Sequence, residues 1–232
     1  MTNVDSAELK KFADFAHHWW DEKGPMRALH QINPLRVAWL ESHIGGFKDK
    51  KIVDIGCGGG LLSEAMAQKG GKVTGIDASA ELLDIAELHL LESGLTVNYQ
   101  NIRAEELAEK TPESFDLVTC FEMLEHVPQP ALIVENCAKL IKRGGFVAFA
   151  TLNRTFKSYL FAILGAEYVL KWLPRGTHAI DKFIKPAELA RFAESAGLEV
   201  KNLQGLSYQI PSQSFHLSQD LSVNYFLLAQ KP

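Results

Sequence analysis

The sequence predicts an α/β fold, in which a mostly parallel sheet is covered by helices on both faces. Two observations predict this fold class. From Lys51 onward, short apolar runs alternate with stretches of helical periodicity, which is the pattern of βαβ units. A glycine-rich turn also lies between the first apolar run and the first of these helical stretches. Because crossovers between parallel strands are right-handed, the helices are expected to lie on both faces of the sheet.

Seven segments have the composition of strands. The first ends in glycines, the third alternates apolar and polar residues, and the last two follow a break in the alternating pattern after Thr151. In chain order the predicted strands are 51–56, 72–77, 96–101, 115–120, 146–151, 198–206 and 223–229.

The helices are predicted from periodicity and from the residues that begin or end them. Ser79 suits a helix N-cap and Gly94 a helix end, so a helix is predicted between these two residues. Pro186 suits the first turn of a helix that continues to Ser195. The chain before Lys51 is expected to be helical, with Pro34 at the start of its second helix. Two further helices are predicted at 61–69 and 130–141.

Composition excludes several classes of protein. The chain has 232 residues, which suits one domain, and 47% of them are hydrophobic, as in globular proteins. A net charge of −4 does not favour nucleic-acid binding, which usually needs a basic face. The three cysteines fit neither a disulfide framework nor a zinc motif. The polar first residues lack the layout of a secretion signal, so a cytoplasmic protein is predicted.

The turn after the first strand reads Asp54-Ile55-Gly56-Cys57-Gly58-Gly59-Gly60. Glycines permit positive φ angles there and let a ligand approach the backbone closely. The dinucleotide-binding fingerprint would need its third glycine at position 61, which is Leu61. The spacing acid-x-Gly-x-Gly-x-Gly instead resembles motif I of the Rossmann-like S-adenosylmethionine (SAM) methyltransferases. It predicts a SAM site that includes Asp54, Gly56 and Gly58.

Asp77 supports this prediction from the end of the second strand. An acid about 20 residues after such a loop suits a ribose diol, because the two hydroxyls can donate hydrogen bonds to its carboxylate. Two alternatives stay open at this point. The loop is a tight structural turn with Asp77 as a helix cap, or the site binds NAD, which Leu61 disfavours.

Three further residues are predicted to line the cofactor pocket. Ala104 follows the third strand, and Phe121 follows the fourth, where its ring is expected to lie against the adenine. Ordinary core packing is the alternative for Phe121. Arg36 is expected to bind the carboxylate of the methionine moiety, because a guanidinium binds carboxylates in bidentate fashion. The alternative for Arg36 is a solvated surface position.

Glu122, Glu125 and His126 follow the fourth strand at positions i, i+3 and i+4, so a helix there would present them on one face. Two carboxylates and an imidazole suit Mg²⁺ or another divalent ion. Such an ion would lower the pKa of a phenolic acceptor and orient its oxygen. Alternatively, His126 alone is the general base. The third interpretation is a capping and ion-pair cluster that holds no ion.

Several stretches outside the glycine loop carry a more specific resemblance. Over nearly its whole length, the chain resembles the ubiquinone-biosynthesis O-methyltransferase family. The stretches are Trp19-Trp20-Asp21, Leu29-His30-Gln31-Ile32-Asn33-Pro34-Leu35-Arg36, the glycine loop, Glu122-Met123-Leu124-Glu125-His126-Val127, Thr151-Leu152-Asn153-Arg154, Gly176-Thr177-His178 and Phe183-Ile184-Lys185-Pro186-Ala187-Glu188.

The resemblance implies a fold, a reaction and a set of site residues. The fold is that of class I SAM methyltransferases, with seven strands of which the last is antiparallel. The reaction is SAM-dependent O-methylation of ring hydroxyls in two polyprenylated phenols, 2-polyprenyl-6-hydroxyphenol and 3-demethylubiquinol. The resemblance implies SAM contacts at Arg36, Gly56, Asp77 and Phe121, and metal ligands at Glu122, Glu125 and His126.

Two departures from the family pattern are visible. Phe121 stands where methionine is familiar, and Arg143 replaces a proline before a pair of glycines. Two other functions stay open on the sequence. The first alternative is a SAM-dependent methyltransferase of another small phenolic or quinone acceptor. The second is a non-catalytic binding module with a SAM-type fold. The intact acids Asp54 and Asp77 and the cluster of Glu122, Glu125 and His126 argue against the second.

The resemblance also gives a meaning to the apolar segment 156–173. Charged residues interrupt this segment and Pro174 ends it, which disfavours a membrane span. The insertion at about 154–185, with basic residues such as Arg154 and Lys157, is predicted to be a lid or an interfacial helix that admits a polyprenyl tail. A peripheral position on the inner face of the cell membrane is therefore predicted, with other ubiquinone-biosynthesis proteins as partners. Together with N-terminal helices at about 1–48, this insertion belongs to one predicted domain, 1–232.

Overall fold

The structure, a computed structural model, describes residues 3–14, 16–160, 180–209 and 211–232. Eight α-helices lie within these ranges. They are α1 (Ser6–Ala13), α2 (Arg27–Ile44), α3 (Leu61–Gln68), α4 (Ala80–Ser93), α5 (Ala104–Lys110), α6 (Pro130–Leu140), α7 (Phe156–Leu160) and α8 (Pro186–Ser195).

The strands of these ranges form one mixed sheet. They are β1 (Lys51–Ile55), β2 (Lys72–Asp77), β3 (Val97–Asn101), β4 (Phe115–Phe121), β5 (Ile141–Leu152), β6 (Glu199–Gln209), β7 (Ser214–Ser218) and β8 (Asn224–Gln230). Their order is β3-β2-β1-β4-β5-β8-β6-β7. The first five strands pair in parallel, whereas β8 is antiparallel to both β5 and β6. The predicted α/β class and the antiparallel last strand are confirmed.

The predicted number of strands is wrong, because the described sheet has eight strands and not seven. The additional strand, β7, forms a hairpin with the end of β6 at the edge of the sheet. Phe215 and Leu217 alternate in it with polar residues and pack, partly buried, against the core. Two apolar residues in a segment otherwise rich in serine gave too weak an alternation to be read as a strand.

Alternation along the strands places a hydrophobic cluster on each face of the sheet. Val53 and Ile55 of β1 pack with α5, α6 and α8, whereas Ile52 packs with α2 and α3 on the opposite face. In β8, Leu227 and Leu228 divide between the two clusters in the same way. Because both faces of these strands are covered, they read as continuous apolar runs in the sequence.

The N-terminal helices differ from the prediction at Pro34. This proline lies inside α2, which begins at Arg27, and does not start a new helix. Proline removes one backbone donor from a helix. The helix continues past it because its buried residues, among them Val37 and Leu40, anchor the following turns in the core. Asp5 caps α1 by accepting hydrogen bonds from two backbone amides.

The topology fixes where a ligand would bind. Strand order reverses between β1 and β4, since the chain passes outward through β2 and β3 and then returns to the other side of β1. Clefts form at the carboxyl ends of strands at such a switch point. The glycine loop after β1, Asp77 at the end of β2 and the residues after β4 all lie at this edge.

The segment after β5 is described only in part. α7 contains the first residues of the predicted apolar segment, and residues 161–179 lie outside the described residues. The predicted interfacial helix therefore falls largely outside them, as do Gly176, Thr177 and His178. Among the helices that are described, none combines the length and the apolar character that a bilayer span requires.

Candidate active site

A cavity of about 180 Å³ lies at the switch point. The glycine loop, Asp77 and Phe121 line it from the sheet, and Arg36 lines it from α2. Residues of α1, including Glu8, line the opposite side. The sequence-predicted site residues that border this cavity are Arg36, Asp54, Gly56, Gly58, Asp77, Ala104, Phe121, Glu122 and His126. Glu125 is not among the lining residues.

The glycine loop has the backbone conformation that its composition predicts. Gly56, Gly58 and Gly60 have φ angles of 70°, 54° and 87°. Trp19 lies against the loop so closely that a Cβ at Gly58 would collide with its indole ring. Trp20 donates a hydrogen bond from Nε1 to the carbonyl of Gly59 at 3.0 Å. The two tryptophans therefore attach the N-terminal segment to the loop.

Asp77 holds the loop from the end of β2. Its Oδ2 accepts a hydrogen bond from the Gly58 amide at 2.9 Å, and its Oδ1 accepts one from the Ser79 amide at 2.8 Å. Burial raises the pKa of Asp77, and these two hydrogen bonds act in the opposite direction. Each carboxylate oxygen has a second lone pair, so the group can still accept hydrogen bonds from a diol in the cavity.

Asp54 lies beneath the loop and is 3% exposed. Ser63 and Thr119 each donate a hydroxyl hydrogen bond of 2.7 Å to its carboxylate, one to each oxygen. Burial raises the pKa of Asp54 to about 6, against the effect of these two hydroxyls. Both oxygens thus have partners within the protein, and the described contacts of Asp54 tie the end of β1 to α3 and β4.

Arg36 projects into the cavity from α2 and is 4% exposed. Its Nη2 forms an ion pair with Oε1 of Glu122, and its guanidinium lies 5.3 Å from the ring centroid of Phe121. Its Nε is buried and has no hydrogen-bond partner in the part of the chain that the structure describes. A buried guanidinium with a free donor is suited to bind a carboxylate ligand.

The acid–histidine cluster does not share one helix face, so that expectation was wrong. Glu122 has a φ angle of 51° and ends the strand, and only residues 124–126 form a helical turn. Glu122 accepts hydrogen bonds from Arg36 and Asn224. Glu125 points away from the cavity and accepts one from Thr151 at 2.8 Å.

His126 is the third member of the cluster and borders the cavity. Its Nδ1 lies 3.0 Å from Oε2 of Glu8, and its ring makes an edge-on contact with Phe12 at a centroid distance of 4.9 Å. Burial disfavours the charged imidazolium, but Glu8 and the two other glutamates outweigh burial, so the pKa of His126 is raised. The His126 hydrogen bond is also the largest cause that lowers the pKa of Glu8.

The three cluster side chains are therefore engaged with different partners, which are Arg36 and Asn224 for Glu122, Thr151 for Glu125 and Glu8 for His126. Among the residues that the structure describes, no group of three or more histidine, cysteine or acidic side chains is arranged to hold a metal ion. As placed, Glu122, Glu125 and His126 do not fit the ligand set expected from the sequence. Glu125 is 3% exposed, and burial, together with the charge of Glu122, raises its pKa to about 7.

Sequence reasoning missed several residues of the site. Glu8 lies far from His126 in the chain, and its only local signal is its place one turn after the capping residue Asp5. Lys182 donates to both Asp5 and Glu8, which joins α1 to the chain before α8. Asn224 was overlooked because it begins a strand, a position that suggests no chemistry.

The comparisons with known proteins agree with this architecture. A family model described as a methyltransferase domain matches residues 11–203. A protein of Stutzerimonas stutzeri strain A1501, named ubiquinone biosynthesis O-methyltransferase, is 54% identical over 231 residues, which cover 100% of this chain and 99% of the relative. A protein of the same name from Nitrosomonas europaea is 53% identical over 97% of this chain and 96% of its own.

Solved structures show the same fold at low identity. A magnesium protoporphyrin IX methyltransferase from Synechocystis PCC 6803 with bound SAM superposes with a TM-score of 0.66 at 19% identity, covering 100% of both chains. A putative methyltransferase from Bacillus halodurans C-125 gives a TM-score of 0.64 at 20% identity, covering 84% of this chain and 98% of the other. The chain therefore has the Rossmann-like fold of class I methyltransferases.

Proposed function

The chain belongs to the family of ubiquinone biosynthesis O-methyltransferases. From this membership we propose that it transfers the methyl group of SAM to phenolic hydroxyls. The acceptors are the ring hydroxyls of two polyprenylated phenols, 2-polyprenyl-6-hydroxyphenol and 3-demethylubiquinol. One observation carries the proposal. The cavity that is bordered by the glycine loop and Asp77 is also bordered by His126, so a methyl donor and a phenolic hydroxyl can share it.

The residues of the cavity fit SAM. The positive φ angles of Gly56 and Gly58 open the loop to a ligand, and Asp77 has lone pairs left for a ribose diol. The buried Nε of Arg36 offers a donor to the carboxylate of the methionine moiety. When bound, SAM would supply a sulfonium methyl carbon as the electrophile for the phenolate oxygen, with S-adenosylhomocysteine as the leaving group.

The protein's own contribution is to align the two partners and to take the phenolic proton. Positioning alone contributes several kcal/mol to such a reaction, roughly 7–11 for an ideal alignment. His126 is the group for the proton. Its Nδ1 is held by Glu8, which leaves Nε2 to accept the proton from the phenol as the oxygen attacks. Glu8 thereby has the orienting role that a carboxylate has beside a basic histidine in other enzymes.

The other two acids have supporting roles in this proposal. Glu122 neutralises the buried Arg36 and fixes its guanidinium beside Phe121. Glu125 lies behind the cavity against Thr151, and its place is structural. Glu122, Glu125 and His126 do not fit a divalent ion as they are placed among the described residues, so the phenolic proton is assigned to His126.

The test uses the purified chain, labelled SAM and a short-chain demethylubiquinol. We expect methyl transfer to this acceptor, and transfer to the corresponding 2-prenyl-6-hydroxyphenol in a parallel reaction. Reactions with added Mg²⁺ and with a chelator measure separately whether an ion contributes. SAM binding without transfer to either phenol would contradict the proposed acceptors and would still support SAM as the cofactor.

The membrane contact is a separate proposal for the segment 154–185. Phe156 is 76% exposed at the start of α7, beside the residues that follow it into the apolar stretch. Arg154 and Lys157, two basic residues of this segment, form ion pairs with Glu188 and Asp220. We propose that apolar contact, more than charge, brings the segment to the bilayer surface, where a polyprenyl tail is accessible.

Liposome flotation tests this proposal. Replacing residues 161–173 with a glycine–serine linker of equal length should abolish flotation and leave SAM affinity unchanged. Phosphatidylcholine vesicles with and without anionic lipid separate an apolar contact from an electrostatic one. Flotation of the linker variant equal to that of the unmodified chain would overturn the proposal.

A further inference from the structure

Asn33 is a buried residue of α2 whose side-chain oxygen has no hydrogen-bond partner in the described part of the chain. It is 7% exposed and borders the cavity. Its Nδ2 donates a hydrogen bond of 3.0 Å to the carbonyl oxygen of Leu61, the first residue of α3. Because a carbonyl can only accept, this contact fixes which end of the amide carries the oxygen. Oδ1 is therefore buried without a hydrogen-bond partner among the described residues.

A second buried group in the same state lies one helical turn away. Asn33 and Arg36 are three residues apart in α2, so their side chains lie on the same face of the helix. The Nε of Arg36 is likewise buried without a partner in the described ranges, and Arg36 also borders the cavity. Buried polar groups in folded proteins are nearly always paired, so two such groups on residues that border one cavity indicate that a polar ligand binds there.

The chemistry of the pair specifies that ligand. Nε of Arg36 is a donor on a cation, and Oδ1 of Asn33 is a neutral acceptor. An α-amino acid group presents the complement, since its carboxylate accepts hydrogen bonds and its ammonium donates them. A plain carboxylate would satisfy Arg36 and would leave Asn33 without a donor.

We propose that Oδ1 of Asn33 accepts a hydrogen bond from the α-ammonium of SAM while Arg36 binds the carboxylate of the same ligand. This inference rests on the proposed function, because it assigns one more contact to that cofactor. The bond from Nδ2 to Leu61 holds the amide at the end of the glycine loop, so Asn33 also sets where the amino acid end of the cofactor lies. Asn33 is a binding and positioning residue and takes no part in the proton transfer.

The experiment compares two ligands by calorimetry, S-adenosylhomocysteine and its deamino analogue, which lacks only the α-ammonium. The unmodified chain should prefer S-adenosylhomocysteine by roughly ten-fold or more, as expected for a hydrogen bond to a charged group. Asn33→Leu, which removes the acceptor at similar size, should abolish this preference. Its affinity for the deamino analogue should fall by less than its affinity for S-adenosylhomocysteine, because for the analogue only the positioning bond to Leu61 is lost.

A second variant keeps the test valid if Asn33→Leu does not fold. Asn33→Asp loses the donor to the Leu61 carbonyl, which should lower the affinity for both ligands, but it retains an oxygen acceptor and adds a charge, so it should keep the preference for the ligand with the ammonium. Equal affinity of the unmodified chain for the two ligands, an unchanged preference in Asn33→Leu, or a lost preference in Asn33→Asp would overturn the inference. If the unmodified chain bound neither ligand, the proposed function itself would fail, which is a distinguishable result.

Discussion

Nδ1 of His126 and Oε2 of Glu8 lie 3.0 Å apart, although one residue follows β4 and the other belongs to the first helix of the chain. The contact is enclosed by Phe12 on one side and reinforced by Lys182, which donates to the other oxygen of Glu8. The N-terminal helix is thus part of the site that it covers. Its carboxylate holds Nδ1 of the imidazole and, together with Glu122 and Glu125, raises the pKa of His126.

Replacing Glu8 should change the pH dependence of the reaction. Glu8 raises the pKa of His126 against the effect of burial, so Glu8→Gln should lower that pKa. A base works only when it is deprotonated, so the acid limb of the kcat/KM profile should move to lower pH. The loss of orientation should also reduce kcat by about 10–100-fold, part of what a general base contributes.

The control for this experiment is Lys11→Ala, which removes an exposed partner of Glu8 and leaves its bond to His126 in place. This variant should keep both kcat and the position of the acid limb. If Glu8→Gln lowered kcat while the acid limb stayed where it is in the unmodified chain, Glu8 would orient His126 without raising its pKa, which would contradict the electrostatic part of the prediction.

The same pair predicts how stability changes with pH. The pKa of Glu8 is lowered from its ordinary 4.5, so its contribution is complete above pH 4.5 and is lost as the pH falls below it. The pKa of His126 is raised from 6.5, so its contribution is complete below pH 6.5 and is lost as the pH rises through the raised value. The pair therefore stabilises the fold most between these limits.

Urea denaturation at several pH values measures this effect. The difference in free energy of unfolding between the unmodified chain and Glu8→Gln should be largest near pH 5.5, where both partners are charged, and smaller at pH 3 and pH 9. Breaking a buried pair at one partner costs about 3–5 kcal/mol, which is the upper limit for this difference. A difference that does not vary over this range would show that the pair contributes no charge interaction.

Asp77 should control cofactor affinity through the loop as well as through the ligand. Asp77→Asn keeps the size of the side chain but replaces one acceptor oxygen with a donor, which opposes an N–H group of either Gly58 or Ser79. The affinity for S-adenosylhomocysteine should fall by about 10–100-fold, as for the loss of charged hydrogen bonds. Calorimetry provides the measurement, and Asp84→Asn, an exposed acid on α4, is the matched control.

How well the sequence predicts each feature of the structure depends on how far apart in the chain the interacting residues lie. The strands and the glycine loop follow from residues that are close in the chain, since periodicity and turn chemistry are local. The strand β7 was missed because packing against the core, more than composition, makes Phe215 and Leu217 part of a strand. Pro34 was misread because buried neighbours, which no local rule includes, hold α2 together on both sides of it.

The sequence predicted where the site lies on the sheet better than it predicted the contacts between the site's side chains. The ends of β1, β2 and β4 had to meet, so the residues after them shared one edge. The spacing of Glu122, Glu125 and His126 predicted one helix face only because a helix was assumed there. The left-handed conformation of Glu122 breaks that assumption. Glu8 required knowledge of where α1 lies, and no spacing in the chain provides it.

Glu125 offers a final test that separates a structural acid from a catalytic one. Burial and the nearby charge of Glu122 raise its pKa to about 7, so in the native state it keeps its proton up to that pH. The unfolded chain releases the proton near 4.5. Ionising Glu125 therefore opposes folding, and this effect appears as the pH rises from 4.5 through 7.

Glu125→Gln removes the charge and keeps an acceptor for the Thr151 hydroxyl. The variant should match the unmodified chain in free energy of unfolding at pH 5 and exceed it at pH 8.5, with kcat within about two-fold at both. Thr151→Val is the control, since it removes the donor and should destabilise the fold by about 1 kcal/mol or more. A large loss of kcat in Glu125→Gln with stability unchanged at pH 8.5 would return Glu125 to the catalytic group, because a structural acid would show the opposite pattern.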